Sequence, residues 1–261
     1  MMQEGICALS VAPLRAEPSD RSEMTNQVLF GERYAVLETR SKWLRIRLTH
    51  DGYEGWLDRR QNQFLPGKAS SAQAQKKLPC VAELIEIVNH SESRAFFPVF
   101  LGSPLPDYDS ESQNLKLGDT FYGYQGAVTG LEPKPEQLIE VAHQYLHAPY
   151  LWGGRSPFGI DCSGLVQMVY RLCGYSLPRD AQQQAQVGET LSFIEEAREG
   201  DLAFFDNEEG NIVHVGLIMA NNYIIHASGK VRIDRLDQSG IFNGEERRHT
   251  HKLRVIKKVL T

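Results

Sequence analysis

The chain is poor in cysteine. Cys7, Cys80, Cys162 and Cys173 are the four among 261 residues, and no two of them form a CxxC pair. That spacing excludes a zinc knuckle and a disulfide framework, so free thiols in a reducing compartment are expected. Long apolar runs are also missing: none approaches the roughly 18–20 residues that a bilayer-spanning helix needs. With a net charge of −5 there is no basic stripe for nucleic acid and no polybasic patch for a membrane surface. The opening MMQEGICALSVAPLRAEPSD lacks a charged stretch followed by an apolar one. A cytoplasmic location is therefore expected, with a periplasmic or secreted one left open if the N-terminus has been trimmed.

What remains is ordinary for a folded chain, 41% apolar and 23% charged, and long enough for two or three domains. Residues 1–65 carry short β-type runs (ICALSVAPL, YAVLETR, WLRIRLT, YEGWLD) separated by turn signals such as His50-Asp51-Gly52. They predict a small antiparallel barrel. The polar stretch 66–77, PGKASSAQAQKK, reads as a linker. Residues 78–127 repeat the short-strand style and predict a second barrel of similar size.

Beyond Glu132-Pro133-Lys134-Pro135 the period changes. Leu138, Val141, Ala142 and Tyr145 fall on one helical face, predicting a helix over 135–147 that Pro149 limits. A second helix should begin at Cys162 and end at Gly174, and a short third should follow Pro178-Arg179-Asp180. Strand-like segments then occupy 201–206, 212–220, 223–228 and the C-terminal region. Helices followed by an antiparallel sheet read as an α+β fold.

Cys162 stands where a packing cysteine has no reason to be, between Asp161 and Ser163-Gly164 at a helix start. First-turn N–H groups and the helix dipole favour an anion there, which makes the thiol cheap to ionise if an imidazole lies nearby. His214 sits in a strand-like segment with Ile212 and Gly216 on its own face. His226 follows in the next strand, after a turn at Asn221-Asn222. Adjacent antiparallel strands bring such a pair together, one ring as base and the other to orient it. A lone strand histidine is more often a hydrogen-bonded core residue, but cysteine and two histidines in this order form a set. His249 and His251, in RRHTHK, read as a solvated basic turn; Trp152 reads as packing, with Gly153 and Gly154 as turn residues.

The ordered strings PYLWGGRSPFGIDCSGLVQMVY, LPRDAQQQ, REGDLAFF, HVGLIM and IIHAS, within about 133–261, resemble the NlpC-type cysteine peptidases of bacterial cell-wall peptides. The resemblance implies a papain-like peptidase domain over 133–261 with Cys162 as nucleophile, His214 as base and His226 as the residue that orients it. It also implies that Tyr150 lies beside the cysteine and helps to bind substrate or oxyanion. PLRAEPSDRSEMTNQVLFGE and DGYEGWL resemble the first of two bacterial SH3-type domains that precede such peptidases in a subgroup of γ-D-glutamyl-L-diamino-acid endopeptidases. These act on murein peptides with a free N-terminal L-Ala, such as L-Ala-γ-D-Glu-diamino acid, and need no metal or organic cofactor.

In that setting Asp161 is assigned to the substrate amine, with Ser163 nearby, although Asp161 would also serve as an N-cap. Tyr53 and Glu23 are candidates for the opposing wall, with Glu17 as the alternative carboxylate. Arg179 and Asp180 either line the cleft or form a structural ion pair. Two rival functions stay open: an amidase or acyl transferase using the same thiol, and a wall-peptide-binding module whose peptidase domain is inactive.

Overall fold

A computed structural model of the chain describes residues 3–65, 78–130 and 132–260. The expected linker at 66–77 lies outside the described residues. The chain divides into two compact units. The first runs up to Glu132 and also takes in Trp152–Pro157; the second holds Pro133–Leu151 and resumes at Phe158. Among the described residues no helix is long and apolar enough to cross a membrane.

The first unit contains a seven-stranded antiparallel sheet. Its strands are β1 (Gln3–Ile6), β2 (Val11–Arg15), β3 (Met24–Leu29), β4 (Arg33–Arg40), β5 (Trp43–Leu48), β6 (Glu54–Asp58) and β7 (Gln63–Phe64), in the order β3-β2-β6-β5-β4-β1-β7. In β5 the period-2 pattern is plain: Leu44, Ile46 and Leu48 are buried while Arg45 and Arg47 face water. A second set follows: β8 (Cys80–Val81), β9 (Ile85–His90), β10 (Phe96–Phe100), β11 (Asn114–Leu117), β12 (Thr120–Tyr124) and β13 (Val128–Thr129). Four of these make the sheet β10-β9-β12-β11, and β13 pairs with β8.

The expectation of two separate small barrels meets a different arrangement. The core of the second set, with Val81, Val88, Val99, Leu115 and Tyr122, also contains Ile6 and Phe30 from the first. Some fifty residues bury too small a fraction of their surface to stand easily alone, and a shared core relieves that shortage.

In the second unit the expected helix over 135–147 is shorter. A 3₁₀ turn at Pro135–Gln137 leads into α1 (Leu138–Gln144), and His147 already has φ of +67°. Helix α2 (Cys162–Leu172) and the four-residue α3 (Ala181–Gln184) follow the two-residue strands β14 (Arg155–Ser156, in the first unit) and β15 (Gly159–Ile160). The sheet is built from β16 (Glu189–Leu191), β17 (Leu202–Asp206), β18 (Ile212–Met219), β19 (Tyr223–Ser228), β20 (Lys230–Asp237), β21 (Gly240–Asn243) and β22 (Arg248–Lys258). Its order is β16-β22-β17-β18-β19-β20-β21, and β21 pairs with β22 as well, so six strands close into a ring. Ala203, Phe205, Ile218, Ile224, Leu236, Ile241 and Ile256 form a core cluster of this sheet.

Candidate active site

Helix α2 begins on a cap that the sequence spells out. Asp161 has extended backbone (φ −94°, ψ 175°), and its Oδ1 accepts the Gly164 N–H at 2.7 Å. Cys162 is thereby the first helical residue, and it is buried. Asp161 does more than cap. Arg179 grips both of its oxygens, Nη1 to Oδ1 at 2.9 Å and Nη2 to Oδ2 at 2.6 Å, and Nη1 also donates to Ser163 Oγ at 2.9 Å. All three side chains are buried. Arg179 thus forms a buried ion pair with Asp161 at the helix start. Asp180 is half-buried at the N-cap position of α3.

Tyr150 is set beside this helix start by backbone bonds. Its N–H donates to the Gly229 carbonyl at 3.0 Å, and the next N–H, of Leu151, donates to Ile160 at 3.2 Å, immediately before Asp161. Burial and the nearby Cys162 and Asp161 raise the phenol's pKa, so its O–H stays protonated.

The histidines occupy successive strands of the ring. Across the β18–β19 ladder His226 faces Gly216, so His214 and His226 are diagonal neighbours rather than directly opposite. The rings still meet, Nε2 of His214 lying 2.8 Å from Nδ1 of His226. Gly216 makes room for this. A Cβ there would come within 2.9 Å of His226 Cβ and 2.8 Å of Ile224 Cδ1. Strand β18 also passes the helix start, since the N–H of Val215, next to His214, hydrogen-bonds to the Cys162 sulfur.

Burial governs the ionisation of this group. The Cys162 thiol is pushed up to about 12, by desolvation first and by Asp161 second; N–H groups of Val215 and Ser163 and the Arg179 charge oppose this without cancelling it. The helix terminus by itself gives less than burial takes away. Burial likewise holds His214 well below the usual imidazole range, assisted by His226 and His251. Neither charge is favourable alone. Burial thus disfavours a lone thiolate and a lone imidazolium alike.

Two residues that the sequence reading passed over, Asp234 and Arg232, join the cluster, and so does His251. His226 Nε2 lies 3.0 Å from Asp234 Oδ2, and Arg232 pairs with the same carboxylate at 2.6 Å. His251, expected in a solvated turn, instead stacks on His214 with ring centroids 4.1 Å apart and planes 26° from parallel. Its neighbour His249 is exposed and pairs with Asp237 at 2.8 Å. Strand alternation in RRHTHKLRV was the available signal for His251, because His251 and Leu253 share a parity.

Tyr53 and Glu23 belong to the first unit. Tyr53 is half-buried against the core of its sheet, and Glu23 is exposed, accepting the Trp152 indole N–H at 2.6 Å. Trp152 is itself 57% exposed, a correction to its reading as packing. Gly153 keeps the role expected of it: at φ +76°, a Cβ there would lie 2.5 Å from the Met24 carbonyl oxygen.

Comparison with known proteins bears on this geometry. Residues 147–245 match the NlpC/P60 family, and residues 14–61 match the bacterial dipeptidyl-peptidase SH3 domain. The chain is 31% identical over 216 residues to a gamma-D-glutamyl-L-lysine dipeptidyl-peptidase of Bacillus subtilis, covering 77% of this chain and 71% of that protein. It is 28% identical over 252 residues to dipeptidyl-peptidase 6 of Lysinibacillus sphaericus, covering 87% and 90%. Among solved structures, an NlpC/P60 family protein from Bacillus cereus shares the fold at a TM-score of 0.79 and 21% identity, covering 99% of this chain and 100% of that one.

Proposed function

From the premise that this chain belongs to the NlpC/P60 family, with a dipeptidyl-peptidase SH3 domain ahead of the peptidase, we propose that it hydrolyses the γ-D-Glu–diamino acid bond of murein peptides bearing a free N-terminal L-Ala. The observation that carries the reading is the meeting of two elements: Cys162 heads α2, and β18 passes its sulfur with His214, which is tied to His226 at 2.8 Å. The activity of the Bacillus subtilis relative, a gamma-D-glutamyl-L-lysine dipeptidyl-peptidase, supplies the substrate class.

In the proposed mechanism neutral His214 takes the Cys162 proton as the sulfur attacks the γ-carbonyl carbon of D-Glu. The oxyanion is held by the Cys162 backbone N–H, free at a helix N-terminus, and by the protonated Tyr150 O–H. His214 then protonates the departing amine, and the carbon–nitrogen bond breaks to leave a thioester. Water attacks the thioester with His214 as base, releasing L-Ala-D-Glu and the thiol.

Recognition of the substrate amine needs a carboxylate, and Asp161 beside the nucleophile is assigned to it: Arg179 holds both of its oxygens and fixes them at the helix start, and Oδ2 keeps a further lone pair for an amine. Asp180, adjacent to Arg179 and half-exposed, is assigned to the cleft wall as a second carboxylate of this unit.

The experiment is hydrolysis of L-Ala-γ-D-Glu-L-Lys and its diaminopimelate counterpart by the wild type and by Cys162→Ala, followed by release of L-Ala-D-Glu. The variant should lose all turnover, and N-acetylation of the peptide should block the wild type. Turnover by Cys162→Ala at the wild-type rate would falsify the mechanism. Indifference to acetylation would remove the amine rule, while Asp180→Asn should raise KM with little change in kcat.

A further inference from the structure

The hydrogen-bond chain behind His214 does not end at His226. His226 Nε2 reaches Asp234 Oδ2 at 3.0 Å. Arg232 holds that carboxylate from the other side, Nε to Oδ2 at 2.6 Å and Nη2 to Oδ1 at 3.0 Å. Arg232 is itself fixed by Asn243 Oδ1 at 3.1 Å and Glu245 Oε2 at 3.1 Å. The chain crosses three neighbouring strands on diagonals, since His226 faces Gly216 on one side and Arg232 on the other. His226 and Asp234 are buried, so water does not compete for these contacts.

A carboxylate clamped by a guanidinium only accepts hydrogen bonds. The proton at the Asp234 contact therefore sits on His226 Nε2. A neutral imidazole has one N–H, which makes His226 Nδ1 an acceptor. The 2.8 Å contact with His214 then requires the proton on His214 Nε2 and leaves His214 Nδ1 with a bare lone pair. Taking Cys162 and His214 as nucleophile and base, as above, we propose that Asp234, steadied by Arg232, is the positioning residue that sets the direction of this chain and so makes Nδ1 of His214 the basic nitrogen. Without a fixed anion at the far end the reverse direction is open. It would place a proton on the nitrogen that has to accept one, the fault expected when a carboxylate behind a catalytic histidine is lost.

The charges around the two rings come from four strands. His226 faces His214 on β18, Asp234 and Arg232 on β20, and the His251 ring of β22 at 5.7 Å. Burial lowers His226, and Asp234 raises it. Glu246 and Asp234 act on His251 in the same raising sense.

Ring nitrogen-15 shifts of the histidines in the full-length wild type test the direction without any substitution. The proton is expected on Nε2 of both His226 and His214. Asp234→Asn keeps the volume but can donate as well as accept. It should populate the opposite tautomers and lower kcat on the order of 10- to 100-fold, the range seen when outer partners of functional histidines are removed. KM should hold, and the acid limb of kcat/KM should move to lower pH as the anion that favours imidazolium is lost. A wild-type proton on His226 Nδ1, or an Asp234→Asn protein with unchanged tautomers and unchanged kcat, would overturn the proposal. A wild type that releases no dipeptide sinks the peptidase reading instead and leaves the tautomer measurement standing.

Discussion

Cys162 occupies a site hostile to a lone anion, and this sets how its reactivity should respond to substitution. In the proposed mechanism a thiolate forms by proton transfer to the His214 ring, and each charge stabilises the other. With His214→Ala the sulfur keeps the Val215 and Ser163 N–H groups and the Arg179 charge, which do not cancel the burial and the Asp161 charge that push the thiol up to about 12. Iodoacetamide should then label Cys162 at neutral pH at least about 100-fold more slowly than in the wild type, since thiolate is the reactive form. Equal rates for the two proteins at pH 7 would separate the sulfur from the imidazole and remove the base from the mechanism. Arg179→Met makes a second prediction. It strands the buried Asp161 carboxylate, which should cost about 3–5 kcal/mol of stability in urea unfolding. Asp161→Asn in the same background should recover part of that loss, because it removes the uncompensated charge.

At the scale of elements, the site depends on how β18, β19 and β20 lie beside one another. The close approach of β18 and β19 is possible because Gly216 opposes His226 with no side chain. In Gly216→Ala the new methyl group meets Ile224 Cδ1 and His226 Cβ within 3 Å, so one of the two must give way. Overpacking of this kind costs about 1–3 kcal/mol. It should also carry the His226 ring off His214, so kcat should fall further than the stability loss explains at a temperature where the variant is fully folded. A folded Gly216→Ala protein with wild-type kcat would show that Ile224 rather than His226 gives way, and would overturn this expectation. The turn joining these strands was readable beforehand: Asn221 and Asn222 both adopt positive φ, as asparagine does most easily among non-glycine residues.

For the molecule as a whole, three buried or half-buried histidines make stability depend on pH in a particular window. His214, His226 and His251 all have lowered pKa values, with burial the largest cause in each, and His251 reaches about 4. Unfolded histidines titrate near ~6.5, so as pH falls the unfolded chain takes up protons before the folded one does. Stability is therefore fully present above that pH and is lost as pH drops from about 6.5 toward 4, the histidines acting alone down to about 5 and together with carboxylates below it. Urea midpoints measured across pH 7 to 4 should fall, and His251→Gln should lessen the fall; a midpoint flat over that interval in the wild type would contradict the burial argument. The sequence by itself determined the features that depend on neighbours along the chain. These are the cap and apolar stripe that start a helix at Cys162, the alternation that puts His214, Gly216 and Ile218 on one strand face, and the turn that returns the chain to His226. Such features follow from periods of 3.6 and 2 and from turn chemistry, which a short window contains. Only the tertiary structure decided that Arg179 neutralises Asp161, that Asp234 stands behind His226, that His251 stacks on His214, and that Ile6 and Phe30 complete a core begun elsewhere. Those contacts arise where a sheet closes on itself or where a small core borrows from its neighbour, and closure and burial leave no periodic trace in the residues that they join.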